Sequence, residues 1–393
     1  MNAVPNTVAS KPATNTGVDS PAALSPRPSS PLVAPEHVRQ MAPYQAGKPI
    51  GEVAREYGLD ETQIVKLASN ENPLGMPASA RHAIALAAAD LGRYPDANGF
   101  ELKRALASRY QVSERCITLG NGSNDVLELV AHTLVGKDDE VIYAQFSFIV
   151  YALATQALGA KAVVVPAKDH GHDLDAMASA ITDKTRLIFI ANPNNPTGTY
   201  LTAQAIESFL TKVPSRVAVV LDEAYNEYLA PEFQFDSSQW LKRFPNLVVS
   251  RTFSKAYGLA GLRVGFALAS IELTDLMNRV RQPFNVNSLA QAAAIAALAD
   301  VDFLKRSAAL NRDGLKTLAE GFDRLGLHYI PSFGNFILVK VGDAKTINEK
   351  LLQAGVIVRP VAGYGLPEWL RVSVGLPHEN EKFLQTMQSI LKP

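Results

Sequence analysis

The chain has 393 residues, of which 47% are hydrophobic and 19% charged, and its formal net charge is zero. This length can bury one large core or two lobes, and without a basic stripe or a Lys/Arg cluster we expect neither a nucleic-acid nor a membrane partner. The single cysteine, Cys116, excludes an intrachain disulfide and is typical of a reducing compartment, so we expect a cytoplasmic protein.

The N-terminal region up to residue 34 is rich in Pro, Ser, Ala, Thr and Asn and lacks apolar periodicity, so we predict a disordered tail. It contains no continuous apolar segment of the kind found in a secretory signal. The apolar segment 289–298 is shorter than the about 20 residues that span a bilayer. We predict an N-terminal arm over residues 35–75 that forms part of a small domain, a large domain over 76–290, and a small C-terminal domain over 291–393.

After two predicted helices at 77–91 and 100–110, apolar runs with strand character alternate with helical segments. The predicted strands cover residues 117–119, 141–144, 162–165, 187–190, 217–221 and 247–249. The predicted helices between them cover residues 126–134, 150–158, 174–181 and 203–210. Continuous apolar strands that alternate with helices predict an α/β domain of three layers, in which helices cover both faces of a mainly parallel sheet.

Beyond a predicted Ala-rich helix at 287–299, this alternation ends. Strands are predicted at 336–341, 356–359 and 370–374, and helices at 347–354 and 379–391. This mixture predicts a smaller α+β domain after the large one.

Polar or glycine-rich segments follow the ends of several predicted strands. They are Gly-Asn-Gly-Ser-Asn-Asp at 120–125, Asn-Pro-Asn-Asn-Pro-Thr-Gly at 192–198, Asp-Glu-Ala-Tyr at 222–225, and a segment with Ser-Lys and several glycines at 251–265. Ligands of parallel sheets bind beyond the carboxyl ends of the strands. We therefore expect these four segments to converge on one site.

Lys255 follows the predicted strand 247–249 and lies next to Ser254. An amine at the end of a buried strand loses its proton more readily than one in water, and a neutral amine can form a Schiff base with an aldehyde. Ser254 and Arg263 are suited to binding a phosphate. This combination suggests a pyridoxal phosphate site, although a lysine in a glycine-rich loop is by itself more often solvated.

Two further groups would act on the ring of such a cofactor. Asp222 would keep the pyridine nitrogen protonated, so that the ring can withdraw electrons; its alternative role is that of a turn residue at a strand end. Asn195 and Tyr225 would donate hydrogen bonds to the phenolic oxygen of the ring, although the segment around Asn195 is also typical of a tight turn. We predict Lys255, Asp222 and Tyr225 as catalytic residues.

The segment 120–125 opens a predicted helix, and the amides of a helix N terminus bind phosphate. Ser123 and Asn124 would add donors there, and Ser254 and Arg263 would complete the phosphate site. A plain connection between a strand and a helix is the alternative reading of this glycine-rich turn.

Phe148 is the candidate for stacking on the ring face, with Phe146 as a competitor, although core packing is the commoner fate of an aromatic side chain. Arg359 and Arg371 lie on predicted strands of the small domain. A guanidinium binds a carboxylate or phosphate through two hydrogen bonds, whereas a surface ion pair is the more common role of a single arginine.

The order of these motifs resembles the fold-type I pyridoxal phosphate aminotransferases and, among them, the histidinol-phosphate aminotransferase family. The resemblance covers about residues 35 to 393. Its carrying motifs, besides Asp-Glu-Ala-Tyr and Asn-Pro-Asn-Asn-Pro-Thr-Gly, are Pro43-Tyr-Gln45, Asn70-Glu-Asn-Pro73, Arg93-Tyr-Pro-Asp96, Gly120-Asn-Gly-Ser123, Arg251-Thr-Phe-Ser-Lys-Ala256, Gly334-Asn-Phe336 and Leu370-Arg-Val-Ser-Val-Gly375.

The resemblance implies a homodimer with two active sites at the subunit interface. Tyr94 matches a tyrosine that reaches the cofactor phosphate of the neighbouring subunit, and Tyr44 matches an aromatic residue near the substrate. Arg359 and Arg371 match a pair that binds the substrate phosphate and the glutamate carboxylates, and Asn195 is assigned to both cofactor and substrate. No metal is expected.

The implied reaction converts histidinol phosphate and 2-oxoglutarate to imidazole-acetol phosphate and glutamate, in histidine biosynthesis. One departure from the family pattern leaves the substrate open, because members often carry Asp-Glu where this chain has Asn124-Asp125. The alternatives are an aminotransferase for phenylalanine or tyrosine and, on the same fold, a threonine-phosphate decarboxylase. A transcription regulator with this fold would need an upstream DNA-binding module, for which residues 1–34 are too short and too rich in proline.

Overall fold

The computed structural model describes residues 33–44 and 47–392. Nearly all of the predicted N-terminal tail, and Gln45 of the Pro-Tyr-Gln motif, lie outside the described residues. Within the described part, no helix combines the length and the apolar character that crossing a membrane requires.

The secondary structure follows the predicted alternation of strands and helices. The strands are β1 (Val65–Lys66), β2 (Ile117–Gly120), β3 (Glu140–Ala144), β4 (Lys161–Val165), β5 (Thr185–Ala191), β6 (Ala218–Asp222), β7 (Leu247–Thr252), β8 (Gly265–Ala269), β9 (Tyr329–Ile330), β10 (Phe336–Lys340), β11 (Val356–Ile357), β12 (Arg359–Pro360) and β13 (Trp369–Ser373). The helices are α1 (Glu36–Arg39), α2 (Ile50–Tyr57), α3 (Ala78–Ala87), α4 (Phe100–Tyr110), α5 (Ser123–Leu134), α6 (Ile149–Ala157), α7 (Leu174–Ser179), α8 (Ala203–Lys212), α9 (Ile271–Val280), α10 (Ser288–Ala299), α11 (Val301–Leu325), α12 (Ala344–Gln353) and α13 (Pro377–Leu391).

A seven-stranded sheet in the order β2-β8-β7-β6-β5-β3-β4 forms the centre of the molecule. The pairs β3–β4, β3–β5, β5–β6 and β6–β7 are parallel, whereas β8 is antiparallel to both β7 and β2. The predicted α/β class with a mainly parallel sheet is therefore confirmed. Strand β8 was not predicted, and it brings the chain back along the sheet after Arg263.

Both faces of this sheet are buried, which explains the continuous apolar runs. In β5, Ile188 and Ile190 pack into the core on one face, whereas Leu187 and Phe189 pack into the core on the other. Successive side chains of a strand point to opposite faces, so each strand contributes to both cores. Burial of each such side chain contributes roughly 1.5–3 kcal/mol to stability.

A second sheet, in the order β12-β13-β10-β9, is antiparallel and packs with α11, α12 and α13 around its own core. The N-terminal segment joins this part of the molecule, because β1 pairs with β11. Helix α10 packs Ala290, Ala293, Ala294 and Ala297 into a core of the large sheet. The domain boundaries given above stay predictions.

The sequence did not predict α11, although it is 25 residues long. Two glycines interrupt its helical signal, since glycine is about 1 kcal/mol less favourable than alanine in a helix interior. A Cβ atom at Gly314 would lie 2.3 Å from a methyl of Val374, and one at Gly321 would lie 2.4 Å from a methyl of Leu384. The glycines therefore allow α11 to pack closely against α13 and against Val374, which follows β13.

Candidate active site

A cavity of about 230 Å³ lies beyond the carboxyl edge of the seven-stranded sheet, where residues of the four-stranded sheet face it. Every predicted site residue except Tyr94 lines this cavity. These residues are Tyr44, Ser123, Asn124, Phe148, Asn195, Asp222, Tyr225, Ser254, Lys255, Arg263, Arg359 and Arg371. They come from segments that are far apart in the chain. Those of the large sheet meet because its parallel strands end at this edge, whereas Tyr44, Arg359 and Arg371 reach the cavity from the N-terminal segment and the four-stranded sheet.

Asp222 is the last residue of β6 and is buried. Its Oδ2 accepts a hydrogen bond of 2.9 Å from the Tyr151 hydroxyl, whereas its Oδ1 has no partner among the described residues. Burial raises the pKa of the Asp222 carboxyl from 3.8 to about 6, against the opposing effects of the Tyr151 hydroxyl, the Ala224 amide and Lys255. A buried carboxylate oxygen without a partner is suited to accept a hydrogen bond from an N–H group of a ligand.

Lys255 follows β7, and its amine donates to the carbonyl oxygen of Ser69 at 3.2 Å. The amine also lies 5.8 Å from the centre of the Tyr225 ring. Burial, together with the positive charge of Arg371, lowers the pKa of Lys255 from 10.5 to about 8. A neutral amine is therefore accessible near physiological pH, as the position at a strand end predicted.

Arg371 is buried in β13 and approaches the cavity from the four-stranded sheet. Its Nη1 donates to Asn195 Oδ1 at 2.6 Å and its Nη2 to the carbonyl of Ala68 at 2.7 Å. Both acceptors are neutral oxygens, and its Nε has no hydrogen-bond partner in the described part of the chain. A buried guanidinium in this state is suited to an anionic ligand, because a carboxylate would compensate its charge.

Arg359 and Tyr44 line the same side of the cavity as a pair. The guanidinium of Arg359 lies 5.7 Å from the centre of the Tyr44 ring. Tyr364, which the sequence did not identify, lines the cavity beside them. This side of the cavity therefore combines aromatic surface with positive charge.

Another part of the cavity lining has the features of a phosphate site. Helix α5 begins at Ser123, and no side chain caps its N terminus. Arg263 donates from Nη1 to Ser254 Oγ at 3.2 Å, so these two predicted phosphate ligands lie together. Gly122, with φ of +90°, has no room for a side chain, because a Cβ atom there would lie 2.5 Å from Arg263 Nη2.

The structure separates the two competing phenylalanines. Phe148 lines the cavity, just before the start of α6. Phe146 instead stacks on His170, with ring centres 6.0 Å apart, and packs against a hydrophobic cluster that contains Trp369. Of these two phenylalanines, Phe148 is therefore the one available to a ligand.

Tyr94 is the predicted site residue that the structure does not bring to the cavity of its own chain. Its side chain is 82% exposed, and its ring stacks on that of Phe284 with centres 4.7 Å apart. An exposed aromatic pair of this kind is available for contact with another chain.

Sequence reasoning missed two buried groups that contact predicted site residues. Tyr151 binds Asp222, and Asn70 donates from Nδ2 to the Tyr225 hydroxyl at 3.0 Å. Tyr151 lies three positions after Phe148, which on a helix places two residues on one face, so the spacing could have identified it. Asn70 is 155 positions from Tyr225, and nothing in the sequence relates the two.

These features fit pyridoxal phosphate. The free Oδ1 of Asp222 suits a protonated ring nitrogen, Lys255 suits the aldehyde, and the uncapped helix with Ser254 and Arg263 suits the phosphate. Among the described residues, no group of three or more His, Cys, Asp or Glu side chains could hold a metal ion.

Residues 62–386 match the model of the family described as aminotransferase class I and II. The chain belongs to this family. The match includes every predicted site residue except Tyr44.

This aminotransferase is similar to other proteins over most of its length. It is 64% identical over 362 residues to histidinol-phosphate aminotransferase 1 of Cupriavidus pinatubonensis. The aligned residues cover 91% of this chain and 96% of the relative. It is 64% identical over 361 residues to histidinol-phosphate aminotransferase 2 of Ralstonia nicotianae, with the same coverage of 91% and 96%. These relatives confirm the resemblance inferred from the motifs.

A solved structure agrees with the fold. The crystal structure of histidinol-phosphate aminotransferase from Sinorhizobium meliloti in complex with pyridoxal-5'-phosphate has a TM-score of 0.83 to this aminotransferase. The two chains are 28% identical, and the match covers 90% of this chain and 97% of the other. The predicted fold type is therefore confirmed.

Replacing Asp222 tests the cost of its burial. Because its pKa is higher in the folded than in the unfolded chain, the folded state binds the proton more tightly, and stability falls as the pH rises from about 4 to about 6. The side-chain amide of an Asp222→Asn variant would keep the hydrogen bond with Tyr151 without a charge. We expect this variant to stabilise the cofactor-free aminotransferase at pH 8 by on the order of 1–3 kcal/mol, and hardly at all at pH 4.

Urea unfolding of both proteins at the two pH values measures this difference. Asp183→Asn serves as the control, because the Asp183 side chain is fully exposed. A variant at position 222 that is less stable than the wild type at pH 8 would contradict the prediction.

Proposed function

We propose that this aminotransferase uses pyridoxal phosphate to transfer the amino group of L-histidinol phosphate to 2-oxoglutarate, giving imidazole-acetol phosphate and L-glutamate in histidine biosynthesis. The observation that carries the proposal is the meeting of Lys255, Asp222 and the N terminus of α5 around one cavity. The names of the relatives that are 64% identical to this chain support the choice of substrate.

Pyridoxal phosphate supplies an aldehyde that condenses with amines and an aromatic ring that withdraws electrons. Asp222 Oδ1 would accept the proton on the ring nitrogen, and Asn195 and Tyr225 would bind the phenolic oxygen. Phe148 would pack against the ring. Ser123, Asn124, Ser254 and Arg263 would hold the phosphate, together with the amides at the start of α5.

Lys255 would act as the base that moves a proton. Its pKa of about 8 leaves a fraction of the amine neutral at physiological pH. Such an amine can bind the aldehyde before substrate arrives, and once released it can take a proton from the substrate carbon and return it elsewhere. The positive charges of Arg371 and Arg263 help to keep the amine neutral.

Arg371 and Arg359 would bind the anionic groups of the substrates. Arg371 is held by Asn195 and by the Ala68 carbonyl, and its Nε remains for an additional acceptor. Arg359, with Tyr44 against it, would bind the substrate phosphate or the second carboxylate of glutamate.

We also propose a cytoplasmic homodimer. The exposed pair of Tyr94 and Phe284 supports an interface in which Tyr94 reaches the cofactor phosphate of the other subunit. The single cysteine supports a reducing compartment.

Lys255→Ala tests the cofactor assignment. We expect the wild-type protein saturated with pyridoxal phosphate to show a visible absorption band that borohydride bleaches, and the variant to lack it, because the variant has no amine at the aldehyde. Lys103→Ala is a matched control, since burial also lowers the pKa of Lys103, but this residue lines a different cavity. A wild-type protein without the band would refute the assignment.

The substrate is tested by single-turnover rates of the cofactor-loaded enzyme with histidinol phosphate, phenylalanine and tyrosine. We expect histidinol phosphate to react at least ten times faster, because its phosphate carries nearly two negative charges whereas the carboxylate of phenylalanine carries one. One additional charge-assisted hydrogen bond to the phosphate is worth about 1.5–3 kcal/mol in this cationic cavity. A faster reaction of phenylalanine would instead support the aromatic aminotransferase, which the aromatic surface of Tyr44 and Tyr364 also favours. Release of carbon dioxide would indicate a decarboxylase.

Subunit mixing tests the proposed role of Tyr94. We expect Tyr94→Ala to weaken cofactor binding by a factor of about ten or more, because a lost hydrogen bond to a charged group costs about 1.5–3 kcal/mol. In a heterodimer of Tyr94→Ala with Lys255→Ala, one site would have both Lys255 and Tyr94. Restored cofactor affinity at half of the sites is the expected result, and no restoration would argue against a contribution across the interface.

A further inference from the structure

A buried hydrogen-bond network joins the N-terminal segment, the small domain and Tyr225. At its centre is Asn70, which is 1% exposed and has a left-handed backbone with φ of 53°. Its backbone N–H donates to Ser373 Oγ at 2.8 Å, and its carbonyl accepts from Asn335 Nδ2 at 3.0 Å. Its side-chain Oδ1 accepts from Ser373 at 2.9 Å, and its Nδ2 donates to Tyr225 at 3.0 Å. All four polar groups of Asn70 are therefore used.

The hydrogen bond from the Asn70 backbone N–H to Ser373 Oγ determines the donor and the acceptor in the bonds to Ser373 and Tyr225. A backbone N–H can only donate, so Ser373 Oγ accepts from Asn70 and has one proton left to give. It gives that proton to Asn70 Oδ1, which fixes the orientation of the amide and turns Nδ2 towards Tyr225. An amide NH₂ can only donate, so the Tyr225 oxygen is an acceptor in this contact.

The hydroxyl proton of Tyr225 must then point away from Asn70. Tyr225 lines the cavity that contains Lys255 and Asp222, and the remaining direction for its proton is into that cavity. The phenol is protonated at neutral pH, because burial raises the pKa of Tyr225 to about 12. Arg371 favours the ionised phenol, whereas Asp222 and Tyr364 oppose it, and the Lys255 amine lies over the ring.

Asparagine suits position 70 for two reasons. It is one of the few residues that adopt a left-handed backbone readily, and it carries a donor and an acceptor on one planar group. Asn72, two positions later, is held in a separate network, in which its Nδ2 donates to Ser307 Oγ and to the Ala256 carbonyl. That second network does not include Tyr225 and offers a control.

We propose that Asn70, oriented by Ser373, is a positioning residue that directs the Tyr225 hydroxyl proton into the cavity. This inference rests on the proposed function, in which Tyr225 donates that proton to the phenolic oxygen of the cofactor. A donor to this oxygen favours its ionised form and so lowers the pKa at which the bound cofactor titrates. Ser373 belongs to β13 of the predicted small domain. The Tyr225 hydroxyl is therefore oriented only when this strand is packed against the N-terminal segment that carries Asn70.

The experiment is a pH titration of the visible absorption of the cofactor-loaded enzyme. Tyr225→Phe defines complete loss of the donor, and we expect its apparent pKa to rise by about one unit or more. Asn70→Asp keeps the size and the left-handed backbone but presents two acceptors, so the Tyr225 proton would turn towards position 70. We expect this variant to raise the apparent pKa nearly as far as Tyr225→Phe does.

The negative charge that Asn70→Asp introduces could raise the pKa by itself, and a double-mutant cycle separates the two effects. If Asn70 acts through the Tyr225 proton, Asn70→Asp has little further effect in a Tyr225→Phe background. An equal rise in both backgrounds would overturn the inference, as would no rise in the wild-type background.

Ser373→Ala is the milder second variant. It removes the hydroxyl that orients the Asn70 amide without changing charge, and we expect a smaller rise in the same direction. Ser307→Ala is its matched control, because Ser307 contacts Asn72 and not Asn70, and it should leave the titration unchanged. Identical titrations of Ser373→Ala and Ser307→Ala would count against the inference.

A wild-type protein with no visible band would overturn the proposed function and this inference together, whereas a normal band with no effect at position 70 overturns the inference alone.

Discussion

The common direction of the strands in the large sheet is the constraint on which the site depends. Every strand of that sheet except β8 runs the same way, so the segments after β2, β3, β5, β6 and β7 all emerge at one edge. Strand β8 runs the opposite way, and for that reason Arg263, which precedes it, returns to the same edge. If some of the strands that carry site residues at their carboxyl ends ran the opposite way, these groups would be divided between two edges.

The cavity gathers positive charge that the protein itself compensates only in part. Arg371 is buried between neutral acceptors, Lys255 has a lowered pKa, and Arg263 lies beside the uncapped N terminus of α5. Buried charges without partners are destabilising, and anionic ligands relieve this cost. Asp222 shows the opposite case, since a buried carboxylate with one free oxygen favours a cationic donor. The same electrostatic imbalance thus explains how the site can hold a zwitterionic cofactor and anionic substrates.

Much of this architecture followed from local patterns. The strand and helix alternation, the mainly parallel sheet and the polar segments at strand ends were predicted because burial on both faces leaves continuous apolar runs, and turns have their own residue preferences. Helix α11 was missed because Gly314 and Gly321 weaken its helical signal, and they are required by close packing that only the folded chain reveals. Phe148 was predicted in preference to Phe146 as the aromatic residue of the site, but only the structure could decide between them, because both follow the same strand.

The sequence alone determined the class of fold, the edge at which a ligand binds and the chemical types of the groups there, since these depend on residues close together in the chain. Only the tertiary structure decided which of these groups contact each other. Ser373 is 303 positions from Asn70, and Asn70 is 155 positions from Tyr225, yet their hydrogen bonds fix where a single proton points. Such bonds are directional over a few ångströms, and no pattern within a short segment carries information about a partner that arrives from another domain.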